Sequence, residues 1–134
     1  MENRLFILLI MVSFVACDYS QTKMYEFLVE NQLSDKTVKI VPKSKTDFWI
    51  SSYESYIVVP GEKIIIGSKI DSYIKKKAPD IYKPNDIIAP FDVYIDDIKQ
   101  EKTLSYRKFW NFSLGNVNES GKYTLVINEN ILKD

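Results

Sequence analysis

The chain has 134 residues, with 18 basic and 18 acidic side chains, one cysteine, no histidine and 46% hydrophobic residues. That balance fits one small globular domain and excludes a disordered tail, which needs low hydrophobicity and high net charge. Zero net charge gives no basic field for nucleic acid, the lack of histidine removes the commonest general base and metal ligand, and a single cysteine makes neither an internal disulfide nor a thiolate cluster.

The chain opens on Met1-Glu2-Asn3-Arg4, and from Leu5 to Val15 only Ser13 is polar. Those eleven residues fall far short of the ~20 needed to span a bilayer and match the core of a signal peptide. An ordinary secretory site wants small residues at the last and third-last positions before the cut. Cutting after Ala16 places the bulky Phe14 at the third-last position. The stretch Ser13-Phe14-Val15-Ala16-Cys17 instead resembles a bacterial lipobox, with Phe14 standing where leucine is more usual. That resemblance implies cleavage before Cys17, a diacylglycerol on its sulfur and an acyl chain such as palmitate on the new amine. Two or more chains hold a protein stably on a membrane. The competing reading is a cleaved secretory peptide followed by an unrelated buried cysteine.

This divides the chain into a signal peptide (1–16), a lipidated Cys17 with a polar tether (17–23) and a single domain (24–134). The tether residues Asp18 to Lys23 reach only ~20 Å when extended, which keeps the domain close to the membrane. A thioether at Cys17 is no nucleophile, so the strongest candidate for covalent catalysis is gone.

Tyr25 to Glu30 alternates, with Tyr25, Phe27 and Val29 on one face, as in a half-buried strand. Asn31 to Asp35 supplies turn chemistry, and Thr37 to Val41 is a β-branched run stopped by Pro42. From Asp47 to Val59, Trp49, Ser51, Tyr53, Ser55, Ile57 and Val59 share one parity, in two short strands or across a bulge. Pro60-Gly61 fits the centre of a type II turn. Ile64-Ile65-Ile66 is a continuous apolar run, which predicts a strand covered on both faces.

Gly67 to Pro90 breaks the rhythm with Pro79, Pro84, Pro90 and the triplet Lys75-Lys76-Lys77. Ile70 and Ile74 allow a short helical turn there. A connection of this length is uncommon in a small domain and often carries function, although it also reads as a solvated link between sheets. Phe91, Val93 and Ile95 alternate with polar partners, and a turn at Asp96-Asp97 leads into Ile98 to Tyr106. Trp110, Phe112 and Leu114 share a side, and Tyr123, Leu125 and Ile127 face inward on a last strand. The sum is an all-β fold, an immunoglobulin-like β-sandwich of about seven to nine strands.

Beyond the lipobox, three features make the chain similar to the small lipoproteins common in Bacteroidota. They are the aromatic strand Tyr25 to Asn31, the turn Pro60-Gly61-Glu62 and the closing strand Tyr123 to Asn128. The resemblance implies a fold and an address in the bacterial cell envelope, and it brings no catalytic residue. Gly121-Lys122-Tyr123 also resembles a tyrosine corner, in which a tyrosine hydroxyl ties a loop across a sandwich end.

Three groups of side chains are candidate sites. Asp92 and Asp96 would lie about 13 Å apart on one strand face, too wide for a glycosidase pair, and they read with Asp97 as solvated strand and turn residues. No Asp-x-Asp-x-Asp-Gly calcium loop occurs. Trp49 and Trp110 read as core, whereas Tyr73 and Tyr82 sit in the long connection and are expected to be exposed. Lys75, Lys76 and Lys77 read as solvated, or as contacts to anionic headgroups near the tether. The expectation is a non-catalytic interaction domain, accessory or inhibitor-like, that docks an envelope protein through Tyr73, Lys75, Lys76, Lys77 and Tyr82. It needs no cofactor or metal, touches lipid through Cys17 and does not bind nucleic acid. The alternative is a surface glycan-binding module that uses exposed rings.

Overall fold

Alternating apolar residues pair into eight strands within residues 22–43, 55–72, 77–88, 90–115 and 120–133, the parts described by a computed structural model of the chain. In chain order they are β1 (Thr22–Asn31), β2 (Val38–Pro42), β3 (Tyr56–Val58), β4 (Lys63–Ser72), β5 (Phe91–Ile95), β6 (Ile98–Lys99), β7 (Trp110–Leu114) and β8 (Gly121–Ile127). One sheet has the order β4-β1-β8-β7 and the other β3-β2-β5-β6. The inward residues of both sheets form one buried cluster, so the fold is the expected all-β sandwich.

β1 lies inside the first sheet, antiparallel to β4 and parallel to β8. Its inward residues Tyr25, Phe27 and Val29 meet Tyr123, Leu125 and Ile127 of β8 in the core. Rings dominate the contact: Phe27 stacks on Tyr123 at 5.5 Å, and Phe112 and Tyr82 approach Tyr123 at 5.0 and 5.2 Å. Trp110 bridges the layers, edge-on to Phe27 of its own sheet and to Phe91 of the other. Its indole N–H donates to the Leu104 carbonyl at 3.0 Å, which satisfies the polar end of a buried ring.

Gly121 opens β8 against the Tyr25 ring. A Cβ there would lie 2.6 Å from Tyr25 Cδ1 and 3.0 Å from Phe112 Cε2, inside contact distance. Gly121→Ala is therefore expected to cost about 1–3 kcal/mol through overpacking, read as a lowered urea midpoint with an unchanged slope.

Two turns follow the sequence logic. Glu62 N–H donates to the Val59 carbonyl at 3.1 Å across Pro60-Gly61, and Gly61 has φ 78°, as a type II turn requires. Asp96 and Asp97 both take positive φ, 46° and 65°, and close the β5–β6 hairpin with the right-handed twist of a primed turn. Asp96 Oδ1 also accepts the Thr37 N–H at 3.0 Å.

Several sequence expectations need correction. β4 does not end with the isoleucine run but continues to Ser72, so Ile70 is a strand residue and the long connection is shorter than Gly67 to Pro90. The run is not covered on both faces, because β4 is an edge strand and Ile65 is 53% exposed. Ile64 and Ile66 face inward around an outward Ile65, as ordinary strand alternation places them. Phe27 pairs with Gly67 and Leu28 with Ile65, so a bulge at Ile66 breaks the alternation only after the run. In β3 the core takes Tyr56 and Val58, whereas Ile57 points outward. β6 is only Ile98–Lys99, and the chain then runs irregularly to a 3-10 turn at Arg107–Phe109. A short helix, α1 (Glu129–Leu132), follows β8, capped by Asn128 Oδ1, which accepts the Asn130 and Ile131 N–H groups. Trp49, Tyr53 and Ile74 lie outside the described residues.

Candidate functional site

The segment 77–88 carries the candidate loop. Sequence leaves it either a functional connection or a solvated link between sheets; in the fold Ala78 and Ile88 are buried, and Ile81 and Tyr82 pack against the core. Its backbone is tied to the chain entering β7. Ile88 N–H donates to the Ser105 carbonyl at 2.9 Å, Arg107 N–H to that of Asp86 at 2.8 Å, and Lys108 N–H to that of Pro84 at 3.0 Å. A tight turn at Lys83 to Asp86 is closed by Asp86 N–H on the Lys83 carbonyl and by Lys83 N–H on Asp86 Oδ2.

A side-chain latch completes the attachment. Tyr123 points from β8 under the segment, its hydroxyl donating to Asp80 Oδ1 at 2.7 Å and accepting the Ile81 N–H at 2.9 Å. Arg107 grips both oxygens of Asp80, donates to the Trp110 carbonyl and lays its guanidinium 5.3 Å over the Tyr123 ring. The expected loop-tying hydroxyl is thus present, but it reaches 42 residues back to Ile81, where a tyrosine corner reaches only a few.

The latch sets its own electrostatics. Burial works against the charge on Asp80, but hydrogen bonds from Arg107 and Tyr123 outweigh it and hold the carboxyl below its usual range. The Arg107 guanidinium is raised in turn, first by its hydrogen bond to Asp80. Burial pushes the Tyr123 hydroxyl up, reinforced by the bond to Asp80, so it remains a donor at neutral pH. Glu30 is lowered by hydrogen bonds from Gln32 and Lys63, and Asp92 by one from Lys43 and another from Lys99.

Carboxyls with a lowered folded pKa contribute stability above their unfolded pKa of about 4 and lose it as pH falls through the folded value. Thermal stability is therefore expected to be nearly flat from pH 7 to about 5 and to fall below about 4. Asp80→Asn should flatten part of that acid limb, and melts from pH 7 to 3 check it.

The predicted site residues divide. Cys17, Tyr73, Lys75 and Lys76 lie outside the described residues. Lys77 is exposed, as expected. Tyr82 is not the exposed ring the sequence suggested. It is half-buried, edge-on to Tyr123 and tilted against Phe27, and burial raises its hydroxyl pKa. The described exposed positions of the segment are Lys77, Pro79, Asp80, Lys83, Pro84, Asn85 and Ile87. The structural feature that the sequence did not announce is the Asp80–Arg107 pair, and the apolar residues Ala78, Ile81, Tyr82 and Ile88 among the prolines and charges were the signal that this segment is anchored.

An open cleft of about 290 Å³ lies where Lys43, Pro90 and β5 meet the chain from Lys99 to Ser105. Its bases are already matched. Lys43 and Lys99 sit on opposite oxygens of Asp92 at 2.9 and 3.1 Å, and Lys102 donates to the Lys133 carbonyl. Asp92 is thus an ion-paired strand residue, and Asp96 and Asp97 are turn residues. Among the described residues, no three His, Cys, Asp or Glu side chains converge as a metal site, and no helix is long and apolar enough to cross a membrane.

Compared with known proteins, the chain matches no family model, no curated protein and no solved structure.

Proposed function

We propose that this protein is a lipid-anchored component of a bacterial cell envelope that docks a protein partner and catalyses no reaction. The observation that carries the docking role is the pinned segment 77–88. Lys77, Pro79, Lys83, Pro84 and Asn85 are exposed while Tyr123 and Arg107 hold Asp80 and the Ile81 N–H from below. A surface held in one conformation loses little entropy on binding, which favours affinity. The anchoring role rests on the lipobox-like Ser13 to Cys17. We read the sandwich as immunoglobulin-like on its two packed four-stranded sheets, each largely antiparallel. Its first and last strands are parallel neighbours in one sheet.

The test is cross-linking in intact host cells with a C-terminally tagged chain. Deleting the segment would strip Ala78 and Ile88 from the core, so the variants are Lys83→Glu and Ile87→Glu, both at exposed positions. A dominant protein adduct that is lost in these variants and in Cys17→Ala is expected. An adduct unchanged in both surface variants contradicts docking through this segment. No protein adduct from a membrane-bound chain favours the glycan reading, although Tyr82, the loop ring best placed in sequence for stacking, is packed inward.

A further inference from the structure

Register places two chain segments side by side at one end of the first sheet. Thr22 at the start of β1 pairs with Ser72 at the end of β4, and Met24 pairs with Ile70. Met24 and Ile70 lie on the outer face, 41% and 57% exposed, as its terminal apolar row. The next row inward is polar, with Glu26 beside Ser68 and ion-paired to Lys122. Opposite-end landmarks are equally clear, because the Pro60-Gly61 turn bonds to Asn31 at the close of β1, and the Asp96-Asp97 hairpin bonds to Thr37 just beyond it. Ile98, 69% exposed, belongs to that far end.

Cys17 precedes Thr22 by five residues, a reach of at most about 17 Å. Met24 and Ile70 stand only two residues beyond that point along their strands, about 7 Å. A bilayer's headgroup zone is itself roughly 5–7 Å deep on each side. We infer that the Met24–Ile70 end of the sandwich rests on the phospholipid surface, its apolar pair in the headgroup–acyl boundary. This orients the domain with its β5–β6 hairpin and Pro60-Gly61 turn outward. The inference rests on the anchoring of Cys17 proposed above. Each exposed apolar side chain is ordinary alone; what selects this pair over Ile98 is its distance along the chain from the lipid.

The test uses the full-length chain, processed in cells and reconstituted into phosphatidylethanolamine–phosphatidylglycerol vesicles. A lipidated Cys17 has no free thiol, so a single Ile70→Cys, Met24→Cys or Ile98→Cys takes one polarity-sensitive fluorophore. Stronger quenching by nitroxide-bearing phospholipid and a blue-shifted emission at positions 70 and 24 than at 98 is the expected result. Equal, water-like signals at all three positions in a vesicle-bound protein overturn the orientation and leave the anchor standing. Stronger quenching at 98 also overturns it. A Cys17 that labels in the parent chain, with protein floating free of vesicles, overturns both the anchor and the orientation.

Discussion

Asn31→Ala is expected to lower the melting temperature by about 10 °C or more, because it costs about 3 kcal/mol. Asn31 is fully buried at the end of β1. Its Nδ2 donates to the Lys36 carbonyl at 2.8 Å and to the Val58 carbonyl at 2.9 Å, and its Oδ1 accepts the Leu33 N–H at 3.0 Å. Its backbone also brackets the next turn, donating to Glu62 and accepting from Gly61. One amide thus holds the β1–β2 turn against β3 of the other sheet. Alanine leaves a buried N–H and two carbonyls without that partner, each worth about 1–3 kcal/mol when unsatisfied, partly offset by relaxation. Asn31→Asp keeps the acceptor for Leu33 but sets a charge against two carbonyl oxygens, so it should be no better than alanine. Thermal melts of both variants check this, and a loss under about 1 kcal/mol for either would mean the amide is not the clamp.

Arg107→Ala is expected to cost about 2 kcal/mol and to loosen the segment 77–88 before the rest of the domain. The guanidinium loses the Asp80 carboxylate, the Trp110 carbonyl and its place over the Tyr123 ring. Its side chain is largely buried whereas that of Asp80 is about one-third exposed, so water screens the pair and the cost stays below that of a fully buried one. Tyr123→Phe removes the hydroxyl but keeps the stacked ring, and about 1–2 kcal/mol is expected. The two effects should not add. Both act on Asp80, so the double variant is expected to cost less than the sum by about 0.5 kcal/mol or more. Hydrogen exchange should show early loss of protection at Ile81, Arg107 and Lys108, whose N–H groups are bonded within or across the segment. Exchange at Val29 and Leu125, in the paired centre of the first sheet, should follow the global stability.

The strands were legible because their inward faces obey a period of two. Tyr25, Phe27 and Val29, then Phe91, Val93 and Ile95, then Tyr123, Leu125 and Ile127 all face the core as their alternation indicates. Local pattern failed where one residue broke the period. The three consecutive isoleucines look like a doubly covered strand, but Ile64 and Ile66 face the core while the apolar Ile65 faces solvent, and the bulge shifts the pairing only beyond Ile66. It also failed where partners lie far apart in sequence. Nothing near Asn31 announces the carbonyl 27 residues later, and nothing near Tyr123 announces an aspartate 43 residues earlier. Tyr82 was misread for the same reason: prolines and lysines around it signal solvent, while the contact that buries it comes from β1 and β8. The long connection was legible as a place in the chain, and the side chains that tie it down were not.

The anchored reading depends on one covalent event, so the most direct measurement is the intact mass of the mature protein purified from host membranes. The account predicts a chain beginning at Cys17 and heavier than that polypeptide by a diacylglyceryl group, with or without an additional acyl chain. A chain that retains Met1, or one cut elsewhere with a free thiol at Cys17, would contradict it.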